Sequence, residues 1–362
     1  MEFKLKEYRH PDFSPEHLSS APDAVFEPAP ADGVVPSGYH ATAIFPEYFK
    51  VDGQWLLAKQ SRMDCVAVLD EGSIAVREFR NVKAGDLVAV GRCEDGSEGI
   101  YVHANGFGEE GAAFDECFAF RQGRSRETSF SMDYDQLYEQ LRYEKEHGYI
   151  VWVLGPACAF DSDSRAAFSR LVEAGYVHAL LAGNALAVHD LEASYKKSAL
   201  GLDIYTQLQH PHGHYNHLDT INRVRELGSI AAFVEHESIS DGIMNQIVKH
   251  DVPFVLAGSI RDDGPLPEVY ADAYAAQDAM RAHLSKATTI IGMATTLHSI
   301  AAGNMAPSFR VTDEGAIRQL YYYLVDISEF AANKLGDRGS LSARSIITNV
   351  QDFVVQTSKN LV

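Results

Sequence analysis

Basic residues are in short supply in this 362-residue chain: 31 Lys and Arg stand against 50 Asp and Glu, for a formal net charge of −19. So negative a molecule is repelled by phosphate backbones and anionic lipid, which removes nucleic acid and membrane surfaces from the expected partners. Cysteine is scarce as well. Cys65, Cys93, Cys117 and Cys158 lie far apart with no Cys-x-x-Cys pair. That spacing argues against a disulfide framework or a thiolate zinc site and for reduced thiols in a cytoplasmic protein. No apolar run reaches the length of a membrane span, and the start Met1-Glu-Phe-Lys-Leu-Lys6 lacks a signal-type apolar stretch. Gly-x-Gly-x-x-Gly, Walker and Gly-x-Ser-x-Gly signatures are all missing. Any nucleotide site must therefore be built another way.

With 362 residues, 46% of them apolar, the chain can build two cores. It divides near residues 125–150, giving expected domains of 1–125 and 126–362. The first is β-rich. Phe49–Ala58 carries the hairpin pair Asp52-Gly53, Cys65–Val76 carries Asp70-Glu71-Gly72, and Lys83-Ala-Gly85-Asp86 turns into Leu87–Gly91, with Gly96–Val102 following. Pro11–Pro36, with six prolines, reads as an irregular arm. Tyr134–His147 reads as a helix stopped by Gly148. From Tyr149 onward strands and helices alternate, which predicts a Rossmann-like α/β domain: a parallel sheet with helices on both faces.

Three apolar stretches in this second half run into small and polar residues. Tyr176–Ala182 breaks at Gly183-Asn184-Ala185, Val252–Ala257 at Gly258-Ser-Ile-Arg261-Asp262-Asp263-Gly264-Pro265, and Thr288–Ala294 at Thr295-Thr296-Leu297-His298. Ligands of open parallel sheets bind outside the carboxyl ends of the strands, where helix N-termini offer free amides to a pyrophosphate. A dinucleotide site is the reading. A fourth stretch, Leu320–Val325, ends on Asp326, with Glu329 close behind and no Lys or Arg before Lys334. A carboxylate there suits the unphosphorylated ribose of NAD rather than NADP, while the plainer role for Asp326 is an N-cap.

Other candidates have a plain and a chemical meaning side by side. Gly155-Pro156-Ala157 is a tight turn or a ligand-facing loop. Arg261-Asp262-Asp263 is a charged turn, or places an acid against a ribose or a substrate amine. His298 is a helix-surface histidine, or a neutral base tuned by the helix start. His210-Pro-His212-Gly-His214-Tyr-Asn-His217 has no nearby thiol and a Pro-Gly shape, so a loop is expected there and no metal.

The runs Gly175–Asp190 and Val252–Pro267, with Gly228–Ala232, Leu297–Met305 and Asp337–Ser340, resemble one family. It is the LOR/SDH conserved-region family, which includes archaeal-type ornithine cyclodeaminase and the C-terminal half of cyanobacterial arginine dihydrolase/ornithine cyclodeaminase. The resemblance is dense over residues 150–355 and thinner over Asp32–Gly91. It implies a deoxyhypusine-synthase-like NAD domain and a redox-neutral lyase of arginine and proline metabolism. There NAD takes the Cα hydride of ornithine, the side-chain amine closes on the imine, ammonia leaves, and the hydride returns. It further implies cofactor contacts at Asn184, Ala185, Asp263, Thr295, Thr296, Leu297, His298, Asp326, Asn349 and Val350. The expected assembly is a homo-oligomer with a small amino-acid substrate.

The chain departs from the family pattern at several places, among them Gly38-Tyr-His-Ala-Thr-Ala43 for Phe-Tyr-x-Thr-Thr-Asn and extra residues at Arg310–Gln319. Cys158-Ala-Phe160-Asp161-Ser162 replaces Val-Val-His-Thr-Gly, and Asn349 replaces an aspartate. The expected catalytic groups are His298, Asp263 and Asp161, with Asp161, Asp262 and Glu235 available to a substrate ammonium. An NAD-dependent amino-acid dehydrogenase and a non-catalytic NAD-binding sensor or subunit remain as alternatives.

Overall fold

The computed structural model describes residues 3–108, 131–262, 264–312, 314–327 and 341–362. In the first domain two antiparallel sheets carry the strands β1 (Val25–Pro28), β2 (Glu47–Val51), β3 (Gln54–Leu57), β4 (Val66–Asp70), β5 (Ser73–Arg77), β6 (Leu87–Val90) and β7 (Ile100–Val102). Their orders are β1-β6-β4-β5 and β3-β2-β7. Both expected hairpins form. Asp52-Gly53 and Glu71-Gly72 each hold two successive residues in the left-handed region, the conformation that matches the twist of a two-residue hairpin. Phe49, Ile74, Ala89 and Ile100 close one small core, and Val66, Val68, Val82 and Val88 another.

The proline-rich arm is a correction. Within Pro11–Pro36 a short helix forms at Glu16–Ser19, and β1 pairs antiparallel with β6, Val25 opposite Val90. As the edge strand of its sheet, β1 tolerates Pro28 at its end, where a central strand would not. Earlier still, Phe3 and Leu5 pack against the core of the second domain, with Phe3 ringed by Tyr143 and Tyr321.

The second domain is built on β8 (Ile150–Leu154), β9 (Ala179–Gly183), β12 (Phe254–Ala257), β13 (Val269–Tyr270), β14 (Thr289–Met293), β17 (Tyr321–Asp326) and β18 (Ala343–Ile347). Between them lie two small hairpins, β10 (Ser198–Ala199) with β11 (Leu202–Asp203), and β15 (Phe309–Val311) with β16 (Ile317–Gln319). All pairs of the main sheet are parallel, in the order β13-β12-β9-β8-β14-β17-β18. Alternation along β8 sorts the two faces. Ile150, Trp152 and Leu154 join Phe168, Leu171, Leu186 and Phe353 on one side. Val151 and Val153 join Met280, Leu284 and Ala302 on the other. The sheet is a doubly wound α/β sheet whose order reverses between β8 and β14, the position at which such sheets bind ligands.

The domains meet along a seam in which the hairpin β15–β16 reaches back to the first domain. Ser308 and Val311 donate backbone N–H bonds to Ser61 O (3.0 Å) and Lys59 O (2.9 Å), and Gln60 bridges to Arg310.

Candidate functional site

At the switch point the loops after β8 and β14 lie against each other. Gly155 N donates to Met293 O at 2.8 Å. A Cβ at Gly155 would stand 1.8 Å from Ala294 O, so no other residue fits without moving the backbone. Ala294 itself sits in the left-handed region, at φ 57°, a conformation costing a non-glycine residue about 1–2 kcal/mol. Strain at a strand end beside a crevice is a common accompaniment of function. In effect Gly155 serves the close approach for which a dinucleotide fingerprint uses its glycines, without the fingerprint's spacing.

Three helices open around this crevice. Asn184–Lys196 follows β9, Thr296–Met305 follows β14, and Val350–Leu361 follows β18. Thr295 is the N-cap of the second, accepting from His298 N at 3.3 Å. Thr296 and Leu297 are exposed on its first turn, Leu297 to 73%. Asn349 caps the third helix, its Oδ1 accepting from Gln351 N at 2.8 Å and Asp352 N at 3.3 Å, while Val350 behind it is buried in the core. Gln351 Nε2 donates to Ala157 O at 3.2 Å, tying this helix to the Gly155–Ala157 loop. Asn184 is buried, and its Oδ1 accepts from Leu266 N at 3.1 Å, pinning the loop after β12. Ala185, on the same first turn, is half-buried.

The imidazole of His298 reaches across to the β9 side. A Cβ on Gly183 would lie 3.0 Å from its Cε1. Burial lowers the His298 pKa from its ordinary value, and the carboxylate of Asp262 opposes that shift. The ring is therefore neutral at physiological pH, with an acid near it. Asp262 is held in turn by Ser259 N, which donates to its Oδ2 at 2.9 Å. Sequence reasoning weighed this Asp-Asp pair and favoured Asp263, which lies outside the described residues. No signal in the sequence distinguishes two adjacent acids in a loop.

Asp326 ends β17, paired with Ile347, and its backbone oxygen accepts from Thr348 N at 3.1 Å. Across the switch point, the end of β9 carries Gly183-Asn184 where the usual dinucleotide fold carries its ribose-binding acid. Asp326 ends a strand of the opposite half of the sheet.

Asp161 is the N-cap of the helix Ser162–Glu173, its Oδ2 accepting from Ser164 N at 2.8 Å. Next to it, Phe160 packs on Ala193, Ala199 and Ile204 and against His189. Gln207 Nε2 donates to Phe160 O at 3.1 Å. The departures in this loop thus serve its packing against the β10–β11 hairpin. Glu235 is exposed. Among the described residues no group of three or more His, Cys, Asp or Glu side chains converges as a metal site. In the histidine loop His210 approaches Asp203 at 3.4 Å and His214 packs on Tyr215. None of the described helices is long and apolar enough to cross a membrane.

One buried network escaped the sequence reading. Asp190 is fully buried, accepting from Arg165 Nε (2.8 Å), Ile243 N (3.0 Å) and Met244 N (2.7 Å). It caps a helix fifty residues away. No local signal marked it: the helix Asn184–Lys196 carries a second acid, Glu192, and the partners of Asp190 come from other elements.

The sequence model for the C-terminal Rossmann-fold domain of ArgZ-like arginine dihydrolases matches residues 135–357. The chain belongs to this family. An ornithine cyclodeaminase of Methanopyrus kandleri is 38% identical over 92% of this chain and 77% of its own length. The bifunctional arginine dihydrolase/ornithine cyclodeaminase AgrE of a Nostoc species is 34% identical over 94% of this chain and 47% of its own. Among solved structures, a LOR/SDH protein of Methanococcus maripaludis superimposes with a TM-score of 0.83 at 34% identity, covering 94% and 98% of the two chains. AgrE in ternary complex with ornithine and NAD+ superimposes at 0.58 with 33% identity, over 94% of this chain and 46% of AgrE. The expected family and the Rossmann-like sheet with its smaller β-rich companion are as read from the sequence.

Proposed function

We propose that this chain is an NAD-dependent ornithine cyclodeaminase-like lyase, releasing ammonia from ornithine or a related basic amino acid while closing the ring. The observation that carries this reading is the placement of His298, a half-buried neutral imidazole with Asp262 near it, over the carboxyl ends of a doubly wound sheet at its switch point. The crevice fits NAD. Gly155 and Gly183 leave cradles that a Cβ would fill, three helix N-termini face it, and Asp326 supplies an acid for a ribose. Asp326 and His298 lie toward opposite halves of the sheet, which supports an adenosine end beside β17 and β18 and a nicotinamide end toward β9.

When bound, NAD supplies a reversible acceptor for the substrate Cα hydride, so that oxidation and re-reduction cancel within one turnover. His298 then holds and returns the proton that passes between the substrate amine and solvent, since a base needs reach and a pKa near the working pH. Asp262 orients the imidazole and favours its protonated form transiently. Asn184, Ala185 and the Thr295–His298 turn would flank the dinucleotide, and Asn349 and Val350 would position it through their helix. Asp161 holds the Phe160 loop in shape and faces the substrate only through it. Similarity to AgrE, whose complex holds ornithine and NAD+, supports the choice of substrate.

The test is a paired assay with ornithine: ammonia should accumulate without a net change in nicotinamide absorbance. Reduced cofactor rising in step with ammonia would make the protein a dehydrogenase instead. NAD binding with no ammonia from any basic amino acid would leave a sensor or subunit.

A further inference from the structure

At the seam between the domains lies a cavity of about 250 Å³, lined by Gln60, Arg62, Asp278, Arg281, Ser285 and Met305 among others. It is on the far side of the helix Thr296–Met305 from the nucleotide crevice, and its chemistry is unlike that of the rest of the molecule. Three arginines crowd there. Arg62 Nη2 pairs with Glu78, Arg281 Nε lies 2.8 Å from the same carboxylate, and Arg80 Nη2 holds Asp278 at 2.5 Å. Within this network of direct ion pairs, three guanidinium groups face two carboxylates, leaving one positive charge on a chain whose net charge is −19. Arg62 is only 5% exposed, yet its Nε has no acceptor. Arg281 Nε is within ion-pair distance of Glu78 but out of line for a hydrogen bond, and is likewise unsatisfied. A buried donor without an acceptor costs about 1–3 kcal/mol, more than a purely structural staple between domains requires.

We infer that this seam cavity binds a small carboxylate, held by the Arg62 and Arg281 guanidinium groups with Gln60 and Ser285 as further polar contacts. The unbalanced single charge matches a monoanion, and a guanidinium pairs with a carboxylate through parallel N–H bonds. The volume and the apolar flank of Met305, Ala282 and Pro307 suit a short aliphatic acid. Occupancy reaches the nucleotide site through one element. Arg62 Nη1 donates to Met305 O at 3.3 Å, and Met305 ends the helix that Thr295 caps and whose first turn carries His298. Ten helical residues span about 15 Å. A carboxylate that draws the Arg62 guanidinium toward itself loosens or tightens the far end of that helix. The effect on NAD and the effect of NAD on the carboxylate must then be equal in binding constant.

The experiment uses the full chain, with and without NAD, and titrates acetate, propionate and lactate at constant ionic strength while following the thermal midpoint. The expected result is a saturable rise with at least one of the three, weakened tenfold or more in Arg281→Gln. Gln60→Leu is the second variant. It removes a polar contact from the cavity wall without touching an ion pair, and should weaken the response even if Arg281→Gln does not fold. No saturable rise, or a rise unchanged in both variants, overturns the site. A response to inorganic phosphate with none to the carboxylates overturns the ligand class. These readouts do not depend on turnover, so they stand apart from the lyase reading.

Discussion

In the proposed function His298 and Asp326 divide the chemistry of the crevice between them, and each role supports a separate expectation. Replacing Asp326 with Ala removes a charged acceptor for the ribose. Hydrogen bonds to charged groups contribute about 1.5–3 kcal/mol, so NAD affinity should fall roughly ten- to hundredfold by calorimetric titration. Unchanged affinity would take Asp326 out of the site. His298→Asn should leave NAD binding nearly intact and reduce ammonia release by about a hundred- to ten-thousandfold. Because burial lowers the His298 pKa, the free base persists to more acid pH than an ordinary histidine. The acid limb of the activity profile should therefore lie below the usual histidine range, and removing the nearby charge in Asp262→Asn should move that limb lower still. A limb that moves upward in Asp262→Asn contradicts the pairing.

At the scale of elements, two contacts hold the architecture that presents these residues. The loops after β8 and β14 touch only because residue 155 has no side chain. Gly155→Ala should either unfold the domain or separate the loops and abolish NAD binding, and a variant with normal NAD affinity would disprove the close approach. Asp190 joins the helix Asn184–Lys196 to Arg165 and to the start of the helix Ile243–Lys249. Asp190→Ala leaves Arg165, 3% exposed, without its main partner. Breaking a buried pair in this way costs about 3–5 kcal/mol, to be read as a lowered urea midpoint with an unchanged slope.

For the whole molecule, pH and cofactor set the stability. Burial lowers the pKa of His103, His178, His283 and His298 from the ordinary value of 6.5. Between 6.5 and those lowered values the unfolded chain binds protons that the folded chain does not. Stability is therefore fullest above 6.5 and declines as the pH falls through that value and on toward the folded values. Thermal midpoints from pH 8 downward should show this decline beginning before the carboxylate range. A flat response to below pH 5 would mean that these rings are solvated. NAD at a hundredfold excess over its dissociation constant should add about 2.7 kcal/mol at every pH where it binds.

The periodicity of the chain sufficed to reveal the doubly wound sheet, its β-rich companion and the strand ends at Gly183, Gly258 and Thr295, because apolar runs and turn residues are local properties. That Asp326 would end a strand and that His298 would fall in the turn that opens a helix was legible for the same reason. Pairing is not local. That β1 would join a sheet despite Pro28 depended on a partner strand sixty residues on, and that Asp190 would cap another helix depended on the helices meeting. That Asp262 lies near enough to His298 to act on its charge required two loops to fold over one sheet edge. The cationic seam needed both domains at once, since Arg62 and Arg281 are more than two hundred residues apart and become neighbours only when the domains close on each other.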